Sequence, residues 1–263
     1  MTLNHPAYAQ LRPVTPTVSV LLQNNPGMMT LDGTNTWVLR APGREECVVV
    51  DPGEHDEEHL GRVAELGPVA LTLITHRHFD HTGGVEPFFD LTGAPVRSVD
   101  PRFLRGGGAA LADSETIDVA GLTLTVVATP GHTKDSVSFV VEGEGTVLTG
   151  DTILGRGTAV LDDTDGHLGD YLTSLRRLAA LGEGRRVMPG HGPELPDLYT
   201  IAQQYLDHRE ERLEQVRAAL ESLGGEPTVR EVVEHVYSDV DPKLWPVAEK
   251  SVTVQLAYLR GLD

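Results

Sequence analysis

Residues 75–81 read Thr75-His76-Arg77-His78-Phe79-Asp80-His81, with Thr82-Gly83-Gly84 behind them. Three histidines and one aspartate fall within six residues, directly after the apolar run Val69-Ala70-Leu71-Thr72-Leu73-Ile74. Such a run reads as a buried strand. The loop that leaves a strand of a rigid sheet is a natural place for chemistry. So dense a group of titratable side chains would be costly to bury without an ion. The cluster therefore constrains the fold: other strands must end nearby if they are to complete a metal site.

The rest of the chain supplies such ends. Segments 18–22, 36–39, 47–50 and 122–127 read as strands, as do 137–141, 146–148 and 187–189. Three of them run into Gly131-His132, Gly150-Asp151 and Gly190-His191. Glycine permits a sharp turn and a close backbone approach, so the next side chain can be aimed at a shared point. Helical spacing is read at 56–66, from about 168 to 181, and at 199–223. Strands alternating with helices and hairpins indicate a layered α/β domain.

The candidate ligands are His76, His78, Asp80, His81, His132, Asp151 and His191. A mixed nitrogen and oxygen set without cysteine suits zinc, and also iron or manganese. His76 and His78 can face one side across a single residue, while Asp80 and His81 can serve a neighbouring ion. Seven side chains are too many for one tetrahedral zinc and fit two ions that share a bridge. The remaining histidines, His5, His55, His59, His167, His208 and His235, read as surface or satisfied core residues.

Composition weighs against several classes. The net charge of −18 argues against a nonspecific nucleic-acid or membrane binder. The single cysteine, Cys47, rules out an internal disulfide and reads as a small buried hydrophobe. No signal peptide and no apolar run of membrane-spanning length is read, so a cytoplasmic protein is expected. The last part differs from the rest. A long amphipathic helix over 199–223 ends at Gly224-Gly225. A capping box at Thr228-x-x-Glu231 opens a second helix, and 245–259 gives a third. This divides the chain into residues 1–196 and 197–263.

The residues His76-x-His78-x-Asp80-His81, Gly131-His132, Gly150-Asp151 and Gly190-His191 resemble the metallo-β-lactamase superfamily in order and spacing, over about residues 18 to 195. The resemblance implies a four-layered αββα sandwich with the site at one edge of its two sheets. It places one metal on His76, His78 and His132, a second on Asp80, His81 and His191, and Asp151 between them. It also implies two zinc ions and a hydrolase whose bridging hydroxide attacks a carbonyl or phosphorus. Asp80 is then both ligand and proton relay. Thr133, Asp135 and Ser136 are read either as supports of the ligands or as ordinary caps.

Finer motifs narrow the group. The stretch from Leu31 to Thr36, Gly150-Asp151-Thr152-Ile153-Leu154-Gly155, Pro189-Gly190-His191-Gly192-Pro193 and the tail from Tyr205 are most similar to the group of the mitochondrial β-lactamase-like endoribonuclease. That group carries a small winged-helix-like C-terminal domain and also includes carrier-protein thioesterases related to glyoxalase II. Residues 162–169 are longer than the group's pattern. The expected substrate is an acyl ester or thioester, with single-stranded RNA as the alternative. A lactonase or β-lactamase is a weaker reading, and His78 and the lack of a flavin domain speak against a di-iron oxidoreductase. The charge of residues 201–263, seven Lys/Arg against twelve Asp/Glu, favours the acyl class over RNA. Substrate contacts are expected at Asp32, Asn35, Arg156, His208 and Arg209. The tail is read as a contact for RNA, a carrier protein or the second subunit of a homodimer.

Overall fold

Alternation along the strands decides the layers. All four residues of β4 (Cys47–Val50) are buried. Val48 and Val50 join one core cluster, whereas Cys47 and Val49 join another. A strand covered on both faces belongs to an inner layer. The computed structural model describes residues 5–161 and 164–261, and it places β4 inside a sheet of six strands. The order there is β1 (Arg12–Pro13), β2 (Val18–Leu22), β3 (Asn35–Leu39), β4, β5 (Val69–Leu73) and β6 (Val96–Arg97). The first four pair antiparallel, and β4, β5 and β6 run parallel.

The second sheet has the order β11-β10-β9-β8-β7. Its strands are β7 (Thr116–Val119), β8 (Leu122–Ala128), β9 (Val137–Val141), β10 (Thr146–Gly150) and β11 (Arg186–Pro189). Only β10 and β11 pair in parallel. Between the sheets lie Trp37, Leu39, Val50 and Leu73 from one side and Leu124, Val126, Phe139 and Leu148 from the other.

Helices cover both outer faces. Leu60 and Val63 of α1 (Glu57–Ala64) and Phe88 of α3 (Val85–Thr92) pack on Val38, Cys47 and Val49. On the far side, α4 (Leu168–Ala180) and the first half of α5 (Leu198–Leu223) cover Val127, Val140, Val147 and Val187. The one-turn helix α2 (Phe79–Thr82) lies between β5 and α3. This is the expected αββα sandwich.

The tail is built from α5, α6 (Val229–Val236) and α7 (Trp245–Leu259), and no strand follows β11 among the described residues. Thr228 and Glu231 form the expected reciprocal capping box at the start of α6. Packing draws a different line from the one expected between 196 and 197. Leu198, Ala202, Tyr205, Leu206 and Leu213 of α5 belong to the sandwich, and Val216 and Ala219 belong to the tail. The helix is shared because its apolar stripe continues across both surfaces. Among the described residues no helix is long and apolar enough to cross a membrane.

Candidate metal centre

Four strands deliver the candidate ligands. His76 follows β5, His132 follows β8, Asp151 follows β10 and His191 follows β11. Asp80 and His81 ride on α2, one turn beyond His76. The strand ends are stitched to one another: Thr75 O accepts from Val137 N at 2.9 Å, and Gly190 O accepts from Asn35 N at 2.8 Å. Gly190 must be glycine for the ligands to converge. A Cβ there would lie 2.3 Å from Asp151 Oδ1 and 2.8 Å from His81 Cε1.

The seven side chains form two groups, His76 with His78 and His132, and Asp80 with His81, Asp151 and His191. In the first, His78 Nδ1 lies 3.1 Å from His76 Nε2 and 3.0 Å from His132 Nε2. In the second, the Nε2 atoms of His81 and His191 are 3.2 Å apart, and Asp80 Oδ2 lies 3.0 Å from His191 Nε2. Asp151 stands between them. Its Oδ2 is 3.2 Å from His191 Nε2, 3.8 Å from His132 Nε2 and 4.0 Å from His76 Nε2.

The opposite nitrogen of four rings is already engaged. His132 Nδ1 meets Val160 O at 2.7 Å, and His191 Nδ1 meets Gly33 O at 3.1 Å. His81 Nδ1 meets Asp51 Oδ2 at 2.8 Å, and His76 Nδ1 meets Thr75 Oγ1 at 3.0 Å. Such contacts fix the tautomer and leave Nε2 facing the shared space. Asp151 Oδ1 is buried there without a hydrogen-bond partner. A buried carboxylate oxygen in that state fits a cation ligand.

The electrostatics fit as well. Burial, then the charge of His81, pushes His76 well below its ordinary value, and burial pushes His132 down to about 4. These imidazoles are therefore neutral, as ligands must be. Burial also opposes charge on His191 and His81. There the carboxylates win: Asp151 and Asp80 raise His191 to about 9, and Asp80, Asp51 and Asp151 hold His81 well above its usual range. Burial is likewise outweighed at Asp151, which His191 and His81 hold well below the usual carboxylate range. The second group thus shares protons that a bound cation would displace. Residues 29–191 match the metallo-beta-lactamase superfamily.

The chain belongs to that superfamily. Residues 228–260 match the beta-lactamase associated winged helix domain. The lactamase-like protein adaB of Aspergillus niger is 36% identical, over 83% of this chain and 68% of that protein. The beta-lactamase-like protein 2 homolog of Drosophila melanogaster is 32% identical, over 94% and 88%. The atrochrysone carboxyl ACP thioesterase of Aspergillus fumigatus is 31% identical, over 93% and 82%. A metallo-beta-lactamase family protein from Thermus thermophilus superposes with a TM-score of 0.75 at 26% identity, covering 95% of both chains. The superfamily is one of hydrolytic enzymes with divalent metals, and the chain falls within the related group expected from its motifs.

The expected substrate contacts separate in this superfamily member. Asp32 and Arg156 form a two-pronged ion pair, at 2.5 and 2.8 Å, that joins two loops beside the ligands. His208 is half-buried in a groove under the tail. Asn35 and Arg209 are each tied into the fold beside a pocket. The Asn35 amide donates to Pro189 O and Gly192 O, at 3.0 and 2.8 Å, and so braces the turn that carries His191. Arg209 is 4% exposed, donates to Ala159 O and lies over the Tyr171 ring. Thr133 Oγ1 meets Asp135 Oδ1 at 2.8 Å and Ser136 Oγ at 2.7 Å, contacts that brace the turn after His132. Of residues 162–169, Asp162 and Asp163 lie outside the described residues. Asp165 is anchored there by Arg77 at 2.9 Å.

One buried group was missed. Asp51, 1% exposed, accepts from Thr75 N and Thr75 Oγ1 at 2.8 and 2.7 Å as well as holding His81. Its backbone has φ 56°, a left-handed turn that aims the carboxylate back under the ligands. In the sequence, Asp51-Pro52-Gly53 signals only the turn.

Proposed function

We propose that the protein hydrolyses acyl thioesters. The observation that carries this reading is the wall of the pocket over His132 and Asp151. Met28, Met29, Leu31, Leu154 and Val160 line it, and its one cation, Arg156, is taken by Asp32. Such a mouth suits an apolar acyl group, whereas a polynucleotide needs free cations along its phosphates. The thioesterase relative supports the same class.

His76, His78 and His132 would hold one divalent ion, and Asp80, His81 and His191 a second, with Asp151 between. Zinc suits these donors best, and iron or manganese also fit. Two such ions supply a water of lowered pKa and a Lewis acid for the substrate oxygen. The chain's own residues do the rest. The methionines and Leu154 seat the acyl chain and exclude water from it. Asp80, with 20% of its side chain exposed, is the carboxylate of the set that solvent reaches most freely. Its Oδ2 faces His191 with the other donors, so the remaining oxygen, Oδ1, receives the proton of the attacking water. The water oxygen joins the carbonyl carbon, the C–S bond breaks, and Asp80 returns its proton to the departing thiolate, so the products are the acid and the thiol.

The test sets hexanoyl thioesters beside single-stranded RNA, with metal analysis of the same preparation. The expected result is thioester turnover, close to two transition ions per chain, and a loss of about 10²- to 10⁴-fold in kcat for Asp80→Ala. RNA cleavage that disappears in Asp80→Ala, with no thioester turnover, would reverse the assignment.

A further inference from the structure

A groove of about 410 Å³ separates residues 158–160 from helices α5 and α7 of the tail. It abuts the pocket over the metal ligands, because Met28 and residues 158–160 line both. Val160 O is also the acceptor for His132 Nδ1, so the groove begins directly behind a ligand.

Two side chains inside the groove are only partly satisfied among the described residues. Gln255 of α7 is 1% exposed, and its Oε1 has no hydrogen-bond partner among the described residues. An unpaired buried amide is costly, and a ligand amide lying in the groove would relieve it. The Arg212 guanidinium, which also lines the groove, lies 4.9 Å over the Tyr237 ring and donates to Gln215 at 2.7 Å. It has no carboxylate partner among the described residues. Arg209, one turn earlier, is spent on Ala159 O and is equally without a carboxylate. In a chain of net charge −18, two uncompensated guanidiniums on one helix face favour an anion.

We infer that this groove holds the phosphopantetheine arm of a carrier-borne acyl thioester, with an arm amide on Gln255 and the phosphate on Arg212. This rests on the thioester reading above. The arm is neutral along its length, carries amides midway and ends in one phosphodiester. Those three parts match the apolar side chains of Met28 and Val160, the unpaired Gln255 and the Arg212 guanidinium, all of which line the one groove. A glutathione arm would bring two carboxylates and an ammonium group to a largely apolar wall. RNA would place a phosphate at every nucleotide, and the Met28–Val160 end offers no cation. Coenzyme A would push further phosphates against a tail with seven Lys/Arg and twelve Asp/Glu.

The test compares kcat/KM for hexanoyl thioesters of N-acetylcysteamine, pantetheine, 4′-phosphopantetheine, a carrier protein and coenzyme A. Pantetheine is expected to exceed N-acetylcysteamine about tenfold, and the phosphate to add about tenfold more. Within the Gln255→Leu protein the first ratio should fall towards one, and within Arg212→Gln the second. Ratios measured inside one variant are insensitive to how much of it folds. Turnover of N-acetylcysteamine thioester without these ratios, or with ratios intact in both variants, would overturn the groove assignment and leave the thioesterase standing. Absence of turnover on all five would remove the reading beneath it. A preference for the coenzyme A thioester over the carrier-borne one would overturn the carrier as source.

Discussion

His59 is a histidine with no ligand duty, and its surroundings explain why it stays neutral. It is 5% exposed, and its Nε2 lies 2.8 Å from Thr36 Oγ1, which ties α1 to β3. Burial, partly offset by Asp56, pushes its pKa down to about 4. Unfolded, the ring titrates near the ordinary value of about 6.5. Between those values the unfolded chain binds a proton that the folded chain refuses. The stability His59 contributes is therefore complete above about 6.5 and is lost as pH falls towards 4. At pH 5 the loss is about 2 kcal/mol. Urea unfolding at pH 7.5 and 5.0 should show the wild type losing about that much more than His59→Gln, while equal losses would refute it. The convergence of the seven candidate ligands was legible at this scale because titratable groups at strand ends have no cheap burial without an ion. Asp51 was not, since its role depends on a contact with His81 thirty positions away and on a left-handed turn.

Elements were legible in proportion to how fully they are buried. Strands β2, β3, β4 and β9 are covered on both faces and show as apolar runs, and α7 has the expected bounds of 245–259. The two-residue strands β1 and β6 and the single turn α2 carry no period long enough to read. The double duty of α5 was hidden too, because one apolar stripe does not say which surface covers it. Tyr205 shows what that helix does for the site. Its hydroxyl accepts from Leu154 N at 3.1 Å and donates to Gly157 O at 2.7 Å, pinning the loop that carries the acyl pocket. Tyr205→Phe leaves the Leu154 N–H buried and unpaired, a cost of about 1–2 kcal/mol. It should lower Tm by several degrees and raise KM for the hexanoyl thioester more than it lowers kcat. An unchanged Tm and KM would show that the loop holds itself.

At the scale of the whole molecule, the expected sandwich and helical tail are both present, but they are not separable bodies. The sandwich cluster includes Val254 of α7, with Tyr258 and Leu259 packed against it, and Leu259 also packs on the tail's own cluster. α5 runs unbroken through both, so a hinge between them would have to break a helix of 26 residues. Exposing Leu213 and Val254 would cost the sandwich apolar burial as soon as the tail left. The two halves should therefore unfold together. The two tryptophans report on each half separately: Trp37 is 2% exposed between the sheets, and Trp245 sits in the tail beside Tyr237 and Val240. Trp245→Phe leaves the probe in the sandwich, and Trp37→Phe leaves it in the tail. In urea, each variant's fluorescence midpoint should coincide with its own far-UV circular dichroism midpoint, the signature of a two-state transition. If the tail probe of Trp37→Phe moves at lower urea than the helical signal, the tail is an independent module. The groove between the halves would then open without unfolding the metal centre.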